Sequence, residues 1–444
     1  MIKPIFTISG IRGIFGQDLT QEIVIKYALS FGNYVKGRKI AIGRDTRLSG
    51  PVLFHSAVTG LFLAGCNAYD FGICPTPAVA LMVKKLNLDA GIQITASHNP
   101  EQWNGLKFIS SKGRFFFDAE IKEFKKQLNK KFTLNIDHIN ESKVVKTNII
   151  DDYLHNIVKS KFFRKIPNQK FRVGIDSCNG AAENAAVKLV SILGAIPITL
   201  KSSDYGFPRP AEPKSENLKR LCSVVRKQRL DFGIAFDPDG DRLACVDELG
   251  VALSEEATIQ LGLLFVLKQE KGPVVVNNST TTAVDDICSE FRVPLYRSKT
   301  GEANVVEKMQ EVKALIGGEG NGGVIFPEIN NTRDGLVATA ILMKLLSRER
   351  QRLSVIRKEL PQYFMQKTAT KNYNENWQKI IRTHFGNNRS IKFNAQDGLK
   401  VIGENYWVLI RQSNTEPILR IIAESKNCKL TNNLIKETIK QIKI

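Results

Sequence analysis

The chain of 444 residues is 43% hydrophobic and 24% charged, with a formal net charge of +20; this is a soluble globular composition, too long for one ordinary core and sized for about three or four domains. No apolar run approaches the roughly 18 residues of a membrane span, and the opening MIKPIFTISGIRG lacks the apolar stretch of a secretory signal, so a cytoplasmic protein without a membrane partner is expected. The positive charge admits nucleic acid or small phosphorylated substrates, and with no zinc-finger, aromatic ribonucleoprotein or helix-turn-helix pattern the second is expected.

Strand-like and helix-like segments alternate along the chain. KIAIGRD (39–45) precedes the helix-like GPVLFHSAVTGLFLAG, whose Pro51 suits a first helical turn. AYDFG, TPAVALMVKKL and GIQITAS follow. The rhythm returns with FRVGIDS (171–177), AAENAAVKLVSILG, PITLK, NLKRLCSVVRKQR and DFGIAFD (231–237). It returns a third time with PVVVNNS, TAVDDICSEF, PLYRSK, ANVVEKMQEV and ALIGGEG (314–320). Strands joined through helices imply right-handed crossovers and parallel or mixed sheets. The final 80 or so residues read differently, as helix, YWVLIRQS, ILRIIAES and a closing helix, an α+β pattern. The expected domains are 1–150, 151–250, 251–365 and 366–444. The basic stretch KEFKKQLNKKF (122–132) reads as the solvated face of a helix, and the seven scattered cysteines, with no CxxC pair, as reduced core thiols.

Each of the three units ends in a strand that runs into a polar motif containing glycine or proline: TASHNP, FDPDGDR and GGEGNGG. In open α/β sheets ligands bind beyond the carboxyl ends of strands, so three such ends can converge on one cleft. In TASHNP, Ser97 and His98 are chain neighbours on an extended segment and point to opposite faces, which makes them poor partners as a nucleophile and base. In FDPDGDR, Asp237, Asp239 and Asp241 alternate and can turn three carboxylates toward one hard cation; a solvated acidic turn is the competing reading. An EF-hand is excluded because Arg242 stands where the loop needs glycine and a strand precedes the motif. Three carboxylates leave magnesium short of ligands, and phosphate oxygens often complete it. A phosphorylated Ser97 would supply one, and the metal would withdraw charge from phosphorus during transfer. In RQSNTEP with ILR, Arg411 and Ser413 share a strand face, Asn414 and Thr415 can turn backbone N–H groups toward an anion, and Arg420 adds a second guanidinium.

TASHNP with NGLK, DPDGDR, KTGEANV, GGEGNGG and RQSNTEP occur in the order and spacing of the α-D-phosphohexomutases, and the resemblance runs from SGIRG to the last domain. It implies an α/β fold of four domains around a central cleft: three similar mixed α/β sheet domains, for phosphoserine, metal and sugar in turn, plus a C-terminal α+β phosphate-binding domain. It implies that Ser97 is the phosphoserine, with Asp237, Asp239 and Asp241 binding Mg2+ beside it. The reaction implied moves phosphate between the 6- and 1-positions of a hexose through a bisphosphorylated sugar, which also serves as activator. Arg12 and Lys107 match the family's basic residues near the transferring phosphate, and His98 and Arg242 from the same motifs join the catalytic set. Lys107 would be a general base if burial and cationic neighbours lower its pKa. Arg411, Ser413, Asn414, Thr415 and Arg420 would clamp the phosphate not being transferred.

The third strand end departs from the pattern. Where many relatives have a serine and a terminal histidine, this chain has Asn321 and Gly323, and Glu302 stands where some mutases have histidine. Lys299, Glu302, Glu319 and Asn321 are the expected sugar contacts. Glu302 would favour a cationic 2-amino group unless it pairs with a nearby lysine. The pair GEANV and GEGNGG most resembles the archaeal-type phosphoglucosamine mutase branch, which implies glucosamine 6-phosphate as substrate, with neutral glucose and mannose phosphates as the alternative. A phosphorylated hexose is the expected partner, and the chain itself is expected to be a monomer or homodimer. A basic nucleic-acid-binding protein on a degenerate scaffold is a distant alternative, disfavoured because no principal motif position is lost.

Overall fold

The computed structural model describes residues 4–35, 37–130, 136–200, 206–386, 388–413 and 418–443. Four sheets follow one another along the chain. The first contains β1 (Ile5–Thr7), β2 (Gly10–Ile14), β3 (Lys39–Arg44), β4 (Asn67–Ile73), β5 (Ala90–Ile94), β6 (Trp103–Ser110) and β7 (Val144–Lys146), in the order β1-β2-β6-β5-β3-β4-β7. The β4–β3–β5 centre is parallel, as helices Gly50–Leu63 and Thr76–Lys85 between those strands require. β6, β2 and β1 continue the sheet antiparallel and had no counterpart in the alternation read from sequence. The solvated basic helix is present as Asp118–Gln127, with Ile121 and Phe124 buried and its lysines outward.

The second sheet joins β8 (Arg172–Asp176), β9 (Ile196–Thr199), β10 (Phe232–Phe236) and β11 (Leu243–Asp247) in the order β11-β10-β8-β9. The third joins β12 (Val274–Asn277), β13 (Leu295–Ser298), β14 (Ile316–Glu319) and β15 (Gly323–Ile325) in the order β13-β12-β14-β15. Both are parallel apart from an antiparallel edge strand, β11 or β15. The fourth is antiparallel throughout, in the order β16-β20-β19-β18-β17, with β16 (Phe364–Thr370), β17 (Lys392–Asn394), β18 (Leu399–Ile402), β19 (Tyr406–Gln412) and β20 (Leu419–Ser425).

One apolar core runs through the first three units. Ala78–Val83 of the first, Val173 and Phe232 of the second, and Ile259 and Leu345 of the third belong to a single cluster. Helix Ala257–Leu267, apolar all round, and helix Gly335–Glu349 are buried almost end to end within it. No helix among the described residues is long and apolar enough to cross a membrane. The fourth unit has its own core around Trp377, Val408, Ile421 and Leu434. Five cysteines are buried singly, Cys222 is half-buried and Cys428 is exposed.

Candidate active site

β5 is fully buried and ends against the loop that carries Ser97. Thr95 Oγ1 donates to Asp45 Oδ2 (2.6 Å) and accepts from Ser97 N (2.9 Å). The Arg47 guanidinium, paired with Asp45, donates to the carbonyls of Ser97, Asn99, Pro100 and Trp103 at 2.6–3.0 Å. So held, Ser97 takes a left-handed backbone (φ 51°), uncommon outside glycine, and its Oγ donates to Asp237 Oδ2 at 3.0 Å.

The loop after β10 turns on Gly240, whose φ of 70° suits glycine. It places Asp237, Asp239 and Asp241 so that an oxygen from each lies within 4.8 Å of the others, all three buried. Three units meet there. From the first, Thr76 Oγ1 donates to Asp239 Oδ2 (2.5 Å), and Lys107 Nζ, on β6, to Asp239 Oδ2 (2.6 Å) and Asp241 Oδ2 (3.1 Å). From the third, Arg333 donates to Asp241 Oδ2 (2.8 Å). Burial, then Asp241 and Asp239, push the Asp237 carboxyl well above its ordinary pKa. Asp239 and Asp241 are buried as well, yet Lys107 and, for Asp241, Arg333 hold both below the ordinary value. Asp239 Oδ1 and Asp241 Oδ1 have no hydrogen-bond partner among the described residues. A compact set of hard oxygens, two of them unsatisfied, fits a small hard cation such as magnesium.

The condition set for Lys107 as a base fails. Burial disfavours its ammonium form, but Asp239 and Asp241 outweigh burial and raise its pKa above the ordinary value. His98 packs onto Arg242, with Nδ1 2.8 Å from Nη2. Arginine can only donate, so Nδ1 is the acceptor and any proton on the ring sits on Nε2. Burial, then the Arg242 charge, hold the imidazole neutral, well below its ordinary pKa. Arg242 also donates to Glu212 (2.6 Å), and Arg12 donates to Asn99 Oδ1 (3.0 Å).

A cavity of about 580 Å³ opens where the four units meet. Arg12 and His98 line it from the first, Arg242 from the second, Glu302, Glu319 and Asn321 from the third, Arg411 and Arg420 from the fourth. Ser413 lines an adjoining cavity of about 250 Å³ that shares Arg12, His98, Arg411 and Arg420. Arg411 and Arg420 stand opposite each other across β19 and β20; like charges so placed repel unless an anion lies between them. Asn414 and Thr415 lie outside the described residues. Lys299 is not brought to the cavity: it is exposed and faces a separate hollow lined by Phe6, Asp118 and Glu307.

Glu302 corrects the expectation of a lysine partner. Burial raises its pKa to about 7, and its partner is no lysine but Arg333, whose backbone N donates to Oε1 (2.8 Å) and whose Nε donates to Oε2 (3.0 Å). Its charge is already paired, so a cationic amine gains less from it than sequence suggested. Arg47, Thr76, Glu212 and Arg333 were all missed. Only GRDTR after β3 and NTRDG before a helix offered any signal.

Four family models match in succession: phosphoglucomutase/phosphomannomutase alpha/beta/alpha domains I (residues 3–134), II (151–250) and III (257–364), and the C-terminal domain (369–441). A phosphoglucomutase/phosphomannomutase of Thermococcus kodakarensis is 33% identical over 439 residues, 95% of each chain. A phosphoglucosamine/phosphogalactosamine mutase of Sulfurisphaera tokodaii is 31% identical over 449 residues, 98% of each. The crystal structure of a phosphoglucomutase/phosphomannomutase family protein from Burkholderia thailandensis superposes with a TM-score of 0.86 at 25% identity, covering 98% of this chain and 97% of that one. The chain therefore belongs to the phosphoglucomutase/phosphomannomutase family and is a phosphohexomutase.

Proposed function

We propose that the enzyme interconverts glucosamine 6-phosphate and glucosamine 1-phosphate, with Ser97 as the phosphoryl carrier. The reading is carried by the Ser97 hydroxyl, 3.0 Å from Asp237, beside a cavity that four units line with cationic side chains. Phosphoserine would give its phosphoryl group to the free hydroxyl of the bound sugar phosphate. The bisphosphorylated sugar would then turn, and its original phosphate would return to Ser97. Arg411, Ser413 and Arg420 would hold whichever phosphate is not reacting, so one site serves both orientations.

Asp237, Asp239 and Asp241 would hold Mg2+, which when bound would draw charge off the phosphoryl oxygens. A loose phosphoryl transfer demands positioning and charge more than a strong base, which suits Lys107 as an ammonium. Arg12 and Arg242 would stabilise the same developing charge, and neutral His98 would orient Arg242.

The amino-sugar assignment is supported by likeness to the Sulfurisphaera relative, named for such substrates. The paired charge of Glu302 favours a second reading, turnover of neutral glucose and mannose phosphates. A coupled assay on the 6-phosphates of glucosamine, glucose and mannose decides between them by kcat/KM. In the same assay Ser97→Ala is expected to lose at least about 1,000-fold in kcat, with an unchanged circular dichroism spectrum. Equal rates for the two proteins would end the carrier mechanism.

A further inference from the structure

Arg333 lines the cavity and ties together carboxylates from two units. It is 7% exposed, and each of its three side-chain nitrogens meets a different carboxylate: Nε meets Glu302 (3.0 Å), Nη1 Glu319 (2.8 Å) and Nη2 Asp241 (2.8 Å). Its backbone N adds the second bond to Glu302. Glu319 is fixed on its other side by Asn277 Nδ2 (2.7 Å) and Gly301 N (3.0 Å). One guanidinium thus joins the two acids that face the sugar to one of the three acids that face the metal. A planar fork on a long stem can do this; a lysine presents a single point charge.

The space is arranged to suit. A Cβ on Gly323 would stand 2.2 Å from Arg333 Cδ and 2.9 Å from its Cγ. The backbone there does not need glycine's freedom, since its φ lies outside the left-handed range. Passage of the arginine stem is what excludes a side chain. Residues 302 and 323, the two positions where histidines are absent, are the partner of Arg333 and the gap it crosses.

We infer that Arg333 is the positioning residue of the sugar subsite: it runs through the space a side chain at 323 would fill, orients Glu302 and Glu319, and locks them to the metal-binding loop through Asp241. The inference rests on the phosphohexomutase site proposed above. Glu302 accepts one bond on each oxygen and keeps a lone pair on each for sugar hydroxyls, and Arg333 sets where those lone pairs point. Glu319 Oε1 already accepts two bonds, and its Oε2 accepts from Arg333 and, at 3.4 Å, from Asn321 Nδ2.

The test is a cycle of wild type, Gly323→Ala, Arg333→Ala and the double variant, with Arg333→Lys beside them. It is read by steady-state kinetics on the three hexose 6-phosphates. Arg333→Lys and Arg333→Ala are expected to lose about 100-fold in kcat/KM on the best sugar, the scale of an ångström of misplacement. Preference for that sugar over the next should also fall about 10-fold, a change that general loss of folded protein does not produce. Gly323→Ala should cost about 10-fold in the wild type and nothing further once Arg333 is alanine. Unchanged sugar preference in Arg333→Lys, or an equal cost of Gly323→Ala in both backgrounds, would overturn the inference. If Arg333→Ala does not fold, Arg333→Lys and Gly323→Ala decide alone, and wild-type kinetics in both overturn it. A wild type that turns over no hexose phosphate would instead refute the functional reading.

Discussion

Arg47 does not line the cavity, yet the position of Ser97 depends on it. It is completely buried with Asp45, and its guanidinium donates to four carbonyls of the loop, those of Ser97, Asn99, Pro100 and Trp103. Arg47→Met would leave Asp45 as a buried charge without its ion-pair partner and take a donor from each of those carbonyls, at a cost of about 3–5 kcal/mol. Urea denaturation is expected to show that loss, and kcat at saturating substrate should fall with it because the left-handed Ser97 backbone relaxes. A variant as stable as the wild type would contradict this account. Ser97 and the three aspartates could be read from sequence because rare residues recur there in a fixed local pattern. Arg47 and Arg333 could not be read in the same way. The chain has 64 basic residues, and which of them is buried against carboxylates depends on contacts from segments far apart in sequence.

At the scale of elements, the ends of strands and helices do the positioning. Helix Gly335–Glu349 begins two residues after Arg333, and its N-cap is Asp334, whose side chain accepts from Leu336 N and Val337 N. The same carboxylate accepts from Tyr153 Oη (2.7 Å) and Asn330 Nδ2 (3.0 Å). Asp334→Ala removes the cap and strands a buried phenol, for a loss of about 2 kcal/mol or more. Asp334→Asn keeps a cap acceptor and should cost less, an order that thermal melting of the two variants can check. The strand–helix alternation was legible because a buried strand and an amphipathic helix have different apolar periods. β6 was not, although it carries Lys107. It lies between β2 and β5 and is buried on both faces, so its sequence NGLKFIS shows no alternation of apolar and polar residues.

Across the whole molecule, the first three units share a core and the fourth docks by polar contacts. Lys367, on β16, reaches Glu255, Glu256 and the carbonyl of Gly320, and Asp397 accepts from Thr300 N and Oγ1 beside the sugar subsite. Lys400 Nζ donates to Asn278 O (2.8 Å) and lies 4.0 Å over the Trp407 ring. Burial, reinforced by Arg297 and opposed by Asp285, Glu424 and Glu256, lowers its pKa from 10.5 to about 7. Between those values the unfolded chain binds a proton that the native chain does not, so stability rises with pH. Below about pH 7 the native state carries the full cost of a buried ammonium. The wild type should therefore gain stability relative to Lys400→Met between about pH 7 and about pH 9, with a slope of at most about 1.4 kcal/mol per pH unit. Melting temperatures of the pair across that range test it, and a constant difference would show that Lys400 does not titrate there.

The sequence by itself determined the alternation of elements, the three motif-bearing strand ends and the family, because each is written in residues adjacent along the chain. Tertiary structure alone decided that Lys107 lies against Asp239 and Asp241, that Glu302 is already paired and that Lys299 faces elsewhere. The charge state and reach of those groups depend on which distant side chains lie within a few ångströms in a low-dielectric interior, and only the folded arrangement of the four units sets that.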